Sequence, residues 1–193
     1  MKKLNIAILA SGRGSVIPDL LKEIGRKKIP IELKIIVSDK ENAGVLEWAK
    51  KSGIKTRHVS KQNKTREEHE QIIAEILEKE HIDLILLIGY MRILTKNFTE
   101  KWPNKILNTH PSLLPDLAGL MDMDAHRAAL KSGKKQTGCT IHIVTEKLDE
   151  GRIILQKTCS VETNDTPETL KKKVQQLEPL ALAEALEKEI KND

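Results

Sequence analysis

The chain has 193 residues, about the length of one domain. Hydrophobic residues make up 39% and charged residues 32%, which is typical of a soluble globular protein and excludes a disordered chain. The sequence contains no apolar stretch long enough for a membrane span. The apolar run at residues 4–10 is too short for a signal peptide. We therefore expect a single domain over residues 1–193, located in the cytoplasm and without a membrane partner.

The charge pattern favours a small anionic ligand. The formal net charge is +5, the basic residues are dispersed, and aromatic residues make up only 2%. A nucleic-acid-binding surface would need aromatic stacking platforms or a recognised motif, so no nucleic-acid partner is expected. Cys139 and Cys159 lack paired spacing, and the histidines show no metal-ligand spacing. Neither a disulfide framework nor a metal site is therefore predicted.

Short runs of β-branched and aliphatic residues alternate with helical patterns along the chain. The alternation indicates β-α-β units and a mainly parallel sheet. A helix is predicted at residues 66–79, and a final helix opens at Thr166-Pro167-Glu168, where threonine caps and proline suits the first turn. The last two predicted strands are joined by only a short turn, which predicts an antiparallel or mixed end to the sheet. The predicted strands are residues 4–10, 31–37, 55–58, 84–88, 106–109, 138–144 and 153–161.

The expected fold is thus α/β: a single-domain, Rossmann-like, mainly parallel sheet with helices on both faces and an antiparallel or mixed C-terminal end. Its first candidate site is the segment Ser11-Gly12-Arg13-Gly14-Ser15, between a strand and a helix. Glycines let a ligand approach the backbone, and the N-terminus of a helix favours a phosphate. A dinucleotide site would need a third glycine where Ile17 stands, although Asp39 lies where a ribose-binding acid belongs. A plain connecting turn is the remaining alternative.

The second candidate site follows the fifth predicted strand. Asn108 and His110 are two residues apart, so their side chains point the same way from a strand. An asparagine N–H can stabilise an oxyanion, and a histidine can hold or give a proton near neutral pH. Asp149, in the turn after the sixth strand, is the expected partner of His110. Each of these polar residues could instead only cap a turn. His142, flanked by isoleucines on a strand and seven residues before Asp149, is expected to be structural rather than catalytic, although it could face the pocket.

Four segments together resemble the phosphoribosylglycinamide formyltransferases of purine biosynthesis, and the similarity covers residues 5–178. They are Ser11-Gly12-Arg13-Gly14-Ser15, Gly89-Tyr90-Met91-Arg92-Ile93-Leu94, Asn108-Thr109-His110-Pro111-Ser112-Leu113-Leu114-Pro115 and Leu148-Asp149-Glu150-Gly151. The resemblance implies transfer of a formyl group from the co-substrate 10-formyltetrahydrofolate to the amine of glycinamide ribonucleotide, with no metal. It implies a monomer or homodimer, with the phosphate site in the N-terminal half and the folate and catalytic sites in the C-terminal half.

The resemblance also implies roles for single residues. Asn108, His110 and Asp149 would be catalytic: the amide and the imidazole would stabilise the oxyanion, and the carboxylate would hold the imidazole charged and help to move a proton. The ribonucleotide would be bound by Gly12, Arg13, Gly14, Ser15 and Glu178. The folate would be bound by Arg66, Met91, Arg92, Ile93, Leu94, Val144 and Leu148.

Two positions depart from the family pattern, and three other functions stay open. Val16 stands where asparagine is usual, and Pro179 where histidine is common, which also leaves open a ligand-binding protein with little turnover. Within the same chemistry, another alternative is a relative that shares the catalytic trio, methionyl-tRNA formyltransferase or formyltetrahydrofolate hydrolase. Each of these is expected to carry a further domain that 193 residues do not accommodate. A nicotinamide-dependent oxidoreductase would use the glycine loop with Asp39.

Overall fold

The structure is a computed structural model that describes residues 3–192. Met1, Lys2 and Asp193, which the predicted domain includes, lie outside the described residues. In chain order, the elements within this range are β1 (Leu4–Leu9), α1 (Ile17–Lys27), β2 (Ile31–Ser38), α2 (Gly44–Lys51), β3 (Lys55–His58), α3 (Arg66–Lys79), β4 (Leu84–Leu87), α4 (Lys96–Lys101), β5 (Ile106–His110), α5 (Met123–Lys131), β6 (Gln136–Ile143), β7 (Ile153–Ser160) and α6 (Pro167–Asn192).

The strands form a seven-stranded sheet with the order β3-β2-β1-β4-β5-β6-β7. β1 pairs in parallel with β2 and β4, and β2 pairs in parallel with β3. β6 and β7 pair antiparallel, with Gln136 opposite Ser160 and Ile141 opposite Leu155. The predicted α/β fold is therefore confirmed, including its antiparallel end, and every predicted strand is present with small shifts at its ends.

The chain divides into two compact units, and the expectation of a single domain stays a prediction. Unit 1 comprises Met1–Ser15 and Pro30–Leu107. Its central strands β1 and β4 and the second half of β2 are apolar on both sides: Ile6, Ile8, Ile35, Ile36 and Ile85 are fully buried. Such continuous apolar runs suit parallel strands that are covered on both faces.

The helix α3 begins at a sequence-encoded cap in unit 1. The Thr65 hydroxyl accepts a hydrogen bond from the Glu68 N–H, and the Glu68 carboxylate accepts one from the Thr65 N–H. This capping box satisfies two N–H groups that the helix itself leaves free. On the same helix Ile73 and Leu77 are buried. The predicted helix at residues 66–79 is confirmed.

Unit 2 comprises Val16–Ile29 and Asn108–Asp193. The long helix α6 packs against β6, β7, α1 and α5, and buries Leu170, Val174 and Leu186. It begins at Pro167, as predicted, and Pro179 lies buried within it. Val16 is the N-cap residue of α1, and its side chain accepts no hydrogen bond. The first N–H groups of that helix therefore have no acceptor on the side chain of Val16.

None of the helices within residues 3–192 combines the length and apolar character that crossing a membrane requires. Over the same residues, no cluster of three or more histidine, cysteine, aspartate or glutamate side chains has the arrangement of a metal site.

Candidate active site

Asn108 and His110 lie near the C-terminal end of β5 in unit 2. The two residues before them, Ile106 and Leu107, are buried in the core, which fixes the strand. Because side chains alternate along a strand, Asn108 and His110 extend to one side and Thr109 to the other. Asn108 is half-buried and His110 is buried. A polar pair is therefore held in place by an apolar strand.

Both ring nitrogens of His110 face protein acceptors. The Nδ1 atom lies 3.3 Å from Oδ2 of Asp149, and the Nε2 atom lies 3.1 Å from the carbonyl oxygen of Leu117. A neutral imidazole has only one N–H and can donate to only one of these acceptors. The protonated ring can donate to both, so this geometry favours a proton on His110.

Asp149 is held in a tight turn between β6 and β7. Its backbone has φ 57°, in the left-handed region that aspartate tolerates better than most residues. The base of the turn is closed at Gly151, where an added Cβ would lie 1.8 Å from the carbonyl oxygen of Ile143. The Oδ2 atom of Asp149 also accepts a hydrogen bond of 2.9 Å from the Gly119 N–H. The carboxylate therefore has a fixed position beside His110.

A fourth residue, His142 on β6, completes the cluster. Its Nε2 atom lies 3.0 Å from Nδ2 of Asn108 and 3.5 Å from Oδ1 of Asp149. Its Nδ1 atom lies 2.9 Å from the carbonyl oxygen of Ile143. The rings of His142 and His110 approach edge to face, with 6.5 Å between their centroids. Asn108, His110, His142 and Asp149 thus form one connected polar cluster, which we call the Asn-His-Asp cluster.

Burial disfavours the charged form of His142 and lowers its pKa. In the neutral ring, an Nδ1–H that donates to the Ile143 carbonyl leaves the Nε2 lone pair to accept from the amide of Asn108. The nitrogen of the Asn108 amide then points to His142, and its second N–H stays available for a ligand. His142 therefore orients the amide as a hydrogen-bond donor.

Burial and charge act in opposite directions on the two imidazoles. Burial lowers the pKa of His110, and the negative charge of Asp149 opposes this change. Burial likewise lowers the pKa of His142, against the hydrogen bond to the Ile143 carbonyl and the attraction of Asp149. For His142 a low pKa agrees with the neutral tautomer that its contacts require. For His110 burial is the larger effect, so its pKa lies below the ordinary value, while Asp149 and the Leu117 carbonyl act against this change.

The glycine loop of unit 1 borders a cavity of about 510 Å³. Gly12, Arg13 and Ser15 are exposed. The backbone of Gly14 has φ 65°. The lining residues of the cavity are Ser11, Gly12, Arg13, Lys40, Glu41, Asn42, Ala43 and Gly44. Two of these side chains, Arg13 and Lys40, are cationic and one, Glu41, is anionic, so the lining has a net positive charge that suits an anionic group.

Asp39 does not offer its carboxylate to a ribose. Its side chain is turned inward, the residue is only 5% exposed, and Oδ1 accepts a hydrogen bond of 2.6 Å from the Ser11 hydroxyl. A ribose-binding acid must instead reach the ligand's hydroxyl groups. This finding argues against the nicotinamide alternative.

The residues expected to bind folate lie in both units. In unit 1, Arg66 is the exposed first residue of α3, and the segment 91–94 follows β4. Met91 and Ile93 are exposed, Arg92 is half-buried and Leu94 is buried. In unit 2, Val144 is half-buried and Leu148 is exposed, both in the turn that carries Asp149. The buried Leu94 anchors its segment, whereas the exposed side chains are available for contact.

Glu178 lies on α6 of unit 2 and is 9% exposed. Burial raises the pKa of this carboxyl to about 7, and the charges of Lys171 and Asp122, which pair with each other, act on it in opposite directions. Glu178 is therefore a buried acid whose charge is costly without a ligand.

Sequence reasoning missed two features of this site. His142 was expected to be structural, yet it contacts both Asn108 and Asp149. Residues 137–143 of β6 are all buried, so the burial pattern does not distinguish the face that carries His142. The spacing of seven residues to Asp149 was the available signal. The second missed feature is the Leu117 carbonyl opposite His110, which depends on a loop conformation.

Comparison with known proteins gives consistent matches over nearly the whole chain. The sequence model of the formyl transferase family matches residues 4–186. The chain is 35% identical over 179 residues to a phosphoribosylglycinamide formyltransferase of Haemophilus influenzae, covering 92% of this chain and 82% of the relative. It is 39% identical over 186 residues to the trifunctional purine biosynthetic protein adenosine-3 of Gallus gallus. That match covers 96% of this chain but only 18% of the length of the trifunctional protein.

Among solved structures, the phosphoribosylglycinamide formyltransferase of Brucella melitensis superimposes with a TM-score of 0.90 at 38% identity. The superposition covers 97% of this chain and 95% of that one. Sequence and fold thus agree over the same residues. We conclude that the chain belongs to the formyl transferase family.

Proposed function

We propose that this protein transfers the formyl group of 10-formyltetrahydrofolate to the amine of glycinamide ribonucleotide. The products are formylglycinamide ribonucleotide and tetrahydrofolate, and the step belongs to purine biosynthesis. The observation that carries the proposal is the Asn-His-Asp cluster, in which His142 orients Asn108 and Asp149 contacts His110. Membership in the formyl transferase family and similarity to phosphoribosylglycinamide formyltransferases support the same reaction.

The chemistry requires stabilisation of a transient oxyanion. The amine nitrogen attacks the formyl carbon, and the electron pair of the C=O bond moves to oxygen. The free N–H of Asn108 donates to this oxygen, and such a donor contributes about a hundred- to a thousandfold in rate. The carbon–nitrogen bond to the folate then breaks, and the tetrahydrofolate nitrogen takes a proton. The proposed step uses no metal ion and no covalent intermediate with the protein.

His110 supplies the second interaction with the oxyanion. Its Nε2 atom faces the Leu117 carbonyl. We infer that the formyl oxygen takes the place of this carbonyl opposite Nε2, while Nδ1 keeps its contact with Asp149. The negative charge that develops on the formyl oxygen would favour the imidazolium form of His110, as the carboxylate of Asp149 does. Asp149 would also accept the proton that the attacking amine loses, through a water molecule.

The remaining expected residues act in binding. The backbone of Gly12, Gly14 and Ser15 and the side chain of Arg13 would hold the ribonucleotide phosphate, and Glu178 would bind the ribose hydroxyls. The folate would be bound by Arg66, Met91, Arg92, Ile93, Leu94, Val144 and Leu148. Neither nucleic acid nor a membrane takes part. The cytoplasmic location and the monomeric or homodimeric state stay predictions.

The direct test is a spectrophotometric assay of tetrahydrofolate formation by the purified protein with glycinamide ribonucleotide and 10-formyltetrahydrofolate. We expect turnover by the wild type, and a fall of about a hundred- to a thousandfold in kcat for Asn108→Ala. Asp149→Asn should also be severely impaired. The control is Thr109→Val, between the two catalytic residues on β5 but on the other side of the strand. It should keep near wild-type turnover.

Two outcomes would contradict the proposal. One is a wild-type protein that binds neither folate nor ribonucleotide but binds NADH tightly, which would favour an oxidoreductase. The other is near-normal turnover in folded Asn108→Ala and Asp149→Asn.

A further inference from the structure

The segment 89–95 of unit 1 connects β4 to α4 without regular secondary structure. Met91 and Ile93 are 47% and 43% exposed. Under the proposed function this segment lines the folate site largely through backbone groups. An irregular segment lacks the regular backbone hydrogen bonds of a helix or a sheet. Contacts with other parts of the protein must therefore fix its conformation. The structure shows two anchors, one near each end.

The first anchor is Ser11, which contacts the start of the segment through two groups. Its backbone N–H donates to the carbonyl of Gly89 at 3.1 Å, and its hydroxyl oxygen accepts from the N–H of Met91 at 3.0 Å. The hydroxyl proton itself goes to Oδ1 of Asp39 at 2.6 Å. An ionised carboxylate can only accept, so Asp39 fixes the direction of the hydroxyl. The lone pairs of the Ser11 hydroxyl oxygen can therefore accept the hydrogen bond from the Met91 N–H.

The second anchor is Glu70 of α3, at the end of the segment. Its two carboxylate oxygens lie 3.0 Å and 3.2 Å from the backbone nitrogen of Thr95. The Thr95 hydroxyl also donates to Glu70. The lone pairs of that hydroxyl accept from the Phe98 N–H at 3.3 Å, which caps α4. Glu70 therefore directs a hydroxyl in the same way as Asp39.

The two anchors share an unusual arrangement. Asp39 is 5% exposed and Glu70 is 3% exposed, although carboxylates are rarely buried without a cationic partner. Within residues 3–192 their hydrogen bonds come from hydroxyl and backbone N–H groups, and the charge of Arg66 acts on Glu70 without a hydrogen bond. Hydrogen bonds to a charged group are stronger than those between neutral groups. Glu70 thus binds the segment directly at Thr95, whereas Asp39 acts on it through the Ser11 hydroxyl.

We propose that Asp39 and Glu70 are positioning residues that hold the backbone of segment 89–95 in the shape that receives the folate co-substrate. This inference rests on the proposed function. Neither carboxylate needs to contact the folate. Their loss should weaken binding of the folate while leaving the reacting groups of the Asn-His-Asp cluster in place. The expected signature is a rise in the KM for one substrate only.

The test compares steady-state kinetics of Asp39→Ala and Glu70→Ala with those of the wild type. For each we expect the KM for 10-formyltetrahydrofolate to rise about tenfold or more, as loss of a charge-assisted hydrogen bond implies. The KM for glycinamide ribonucleotide and kcat should change little. Asp39→Asn and Glu70→Gln, which keep an acceptor oxygen, should restore much of the folate KM. Ser11→Ala, a smaller change at the first anchor, should also raise the KM for 10-formyltetrahydrofolate, because it removes the acceptor of the Met91 N–H.

Matched controls come from the same unit. Asp83 accepts a hydrogen bond of 2.8 Å from the Asn5 N–H, and Glu68 belongs to the capping box of α3. Asp83→Ala, at a half-buried position, and Glu68→Ala, at an exposed one, therefore remove carboxylate hydrogen bonds to backbone N–H groups away from segment 89–95 and should leave both KM values close to wild type. Thermal unfolding of every variant identifies changes that only reduce the folded fraction.

Amide hydrogen exchange provides a readout that needs no turnover. Exchange at Met91 should accelerate in Asp39→Ala, and exchange at Thr95 should accelerate in Glu70→Ala. The inference is overturned if both folded alanine variants keep the wild-type folate KM, or if the controls raise it equally. A wild type that turns over neither substrate would instead refute the proposed function, and this inference with it.

Discussion

The Nε2 atom of His142 lies 3.0 Å from the Nδ2 atom of Asn108. Because the Nδ1–H of the same ring donates to the Ile143 carbonyl, the neutral form of His142 can only accept at Nε2. The amide of Asn108 is therefore held with its nitrogen toward His142. Without this acceptor the amide could rotate and present its oxygen to the developing oxyanion, where it would repel charge.

We predict that His142→Leu lowers kcat about 10- to 100-fold, because misorientation of a catalytic group has effects of this size. His142→Gln should recover much of the loss, since its amide oxygen can accept from Asn108. The control is His126→Leu, which replaces another buried histidine of unit 2. Equal kcat values for His142→Leu and His142→Gln would contradict the orienting role.

The phosphate loop allows a second prediction. Gly14 has φ 65°, a conformation that β-branched residues strongly disfavour. Gly14→Val should therefore distort the loop and raise the KM for glycinamide ribonucleotide more than the KM for 10-formyltetrahydrofolate. Steady-state kinetics with each substrate varied in turn measures both values.

The control for backbone strain is Gly53→Val, after α2. Gly53 has φ 71° and no neighbouring atom within 4 Å of an added Cβ. This variant should lose stability in thermal unfolding and yet keep both KM values. If the two valine variants changed the KM values alike, the phosphate-binding role of the loop would be wrong.

Much of this fold is encoded locally, which explains why the sequence predicts it well. The runs of isoleucine, leucine and valine in β1, β2 and β4 are buried on both faces, so they appear as short apolar segments. The Thr65–Glu68 capping box marks the start of α3 in the sequence itself. The short connection between β6 and β7 excludes a crossover and thereby predicts their antiparallel pairing.

The site is less predictable because its contacts are non-local. Spacing on a strand places Asn108 beside His110, but the contact of Asn108 with His142 depends on the relative register of β5 and β6. The contact of His110 with the Leu117 carbonyl depends on the path of an irregular loop. Likewise, Asp39 has the position of a ribose-binding acid in the sequence, whereas its side chain bonds inward to Ser11.

The two cysteines give a third prediction. Cys139 is buried, and burial raises the pKa of its thiol to about 12, whereas Cys159 is only half-buried. Since the thiolate is the reactive form, alkylation by iodoacetamide at pH 8 should label Cys159 well before Cys139. Mass spectrometry of the labelled protein identifies the site. Cys159→Ser should leave no rapidly labelled thiol until the protein is unfolded, and rapid labelling of Cys139 would show that β6 opens readily.

The fourth prediction concerns stability and pH, and it follows from Glu178. Its pKa is raised from 4.5 to about 7 because the carboxyl is buried. Between these two values the folded protein holds a proton that the unfolded chain releases. The neutral acid therefore supports folding fully below about pH 4.5, and this contribution is lost as the pH rises through about 7. Over that range the wild type should lose about 2–3 kcal/mol of unfolding free energy relative to a neutral substitute.

Glu178→Gln provides the neutral substitute, so its free energy of unfolding relative to the wild type should increase from pH 5 to pH 8. Urea unfolding at several pH values measures the difference and cancels the titration of the other groups. Glu184→Gln, in the same helix and paired with Lys157 at 2.9 Å, is the control and should show a small difference with little pH dependence.

Added glycinamide ribonucleotide should stabilise the wild type more than Glu178→Gln at pH 8, because the proposed ribose contact would favour the ionised carboxylate. A constant difference between Glu178→Gln and the wild type across this pH range would show that Glu178 is ionised in the folded protein.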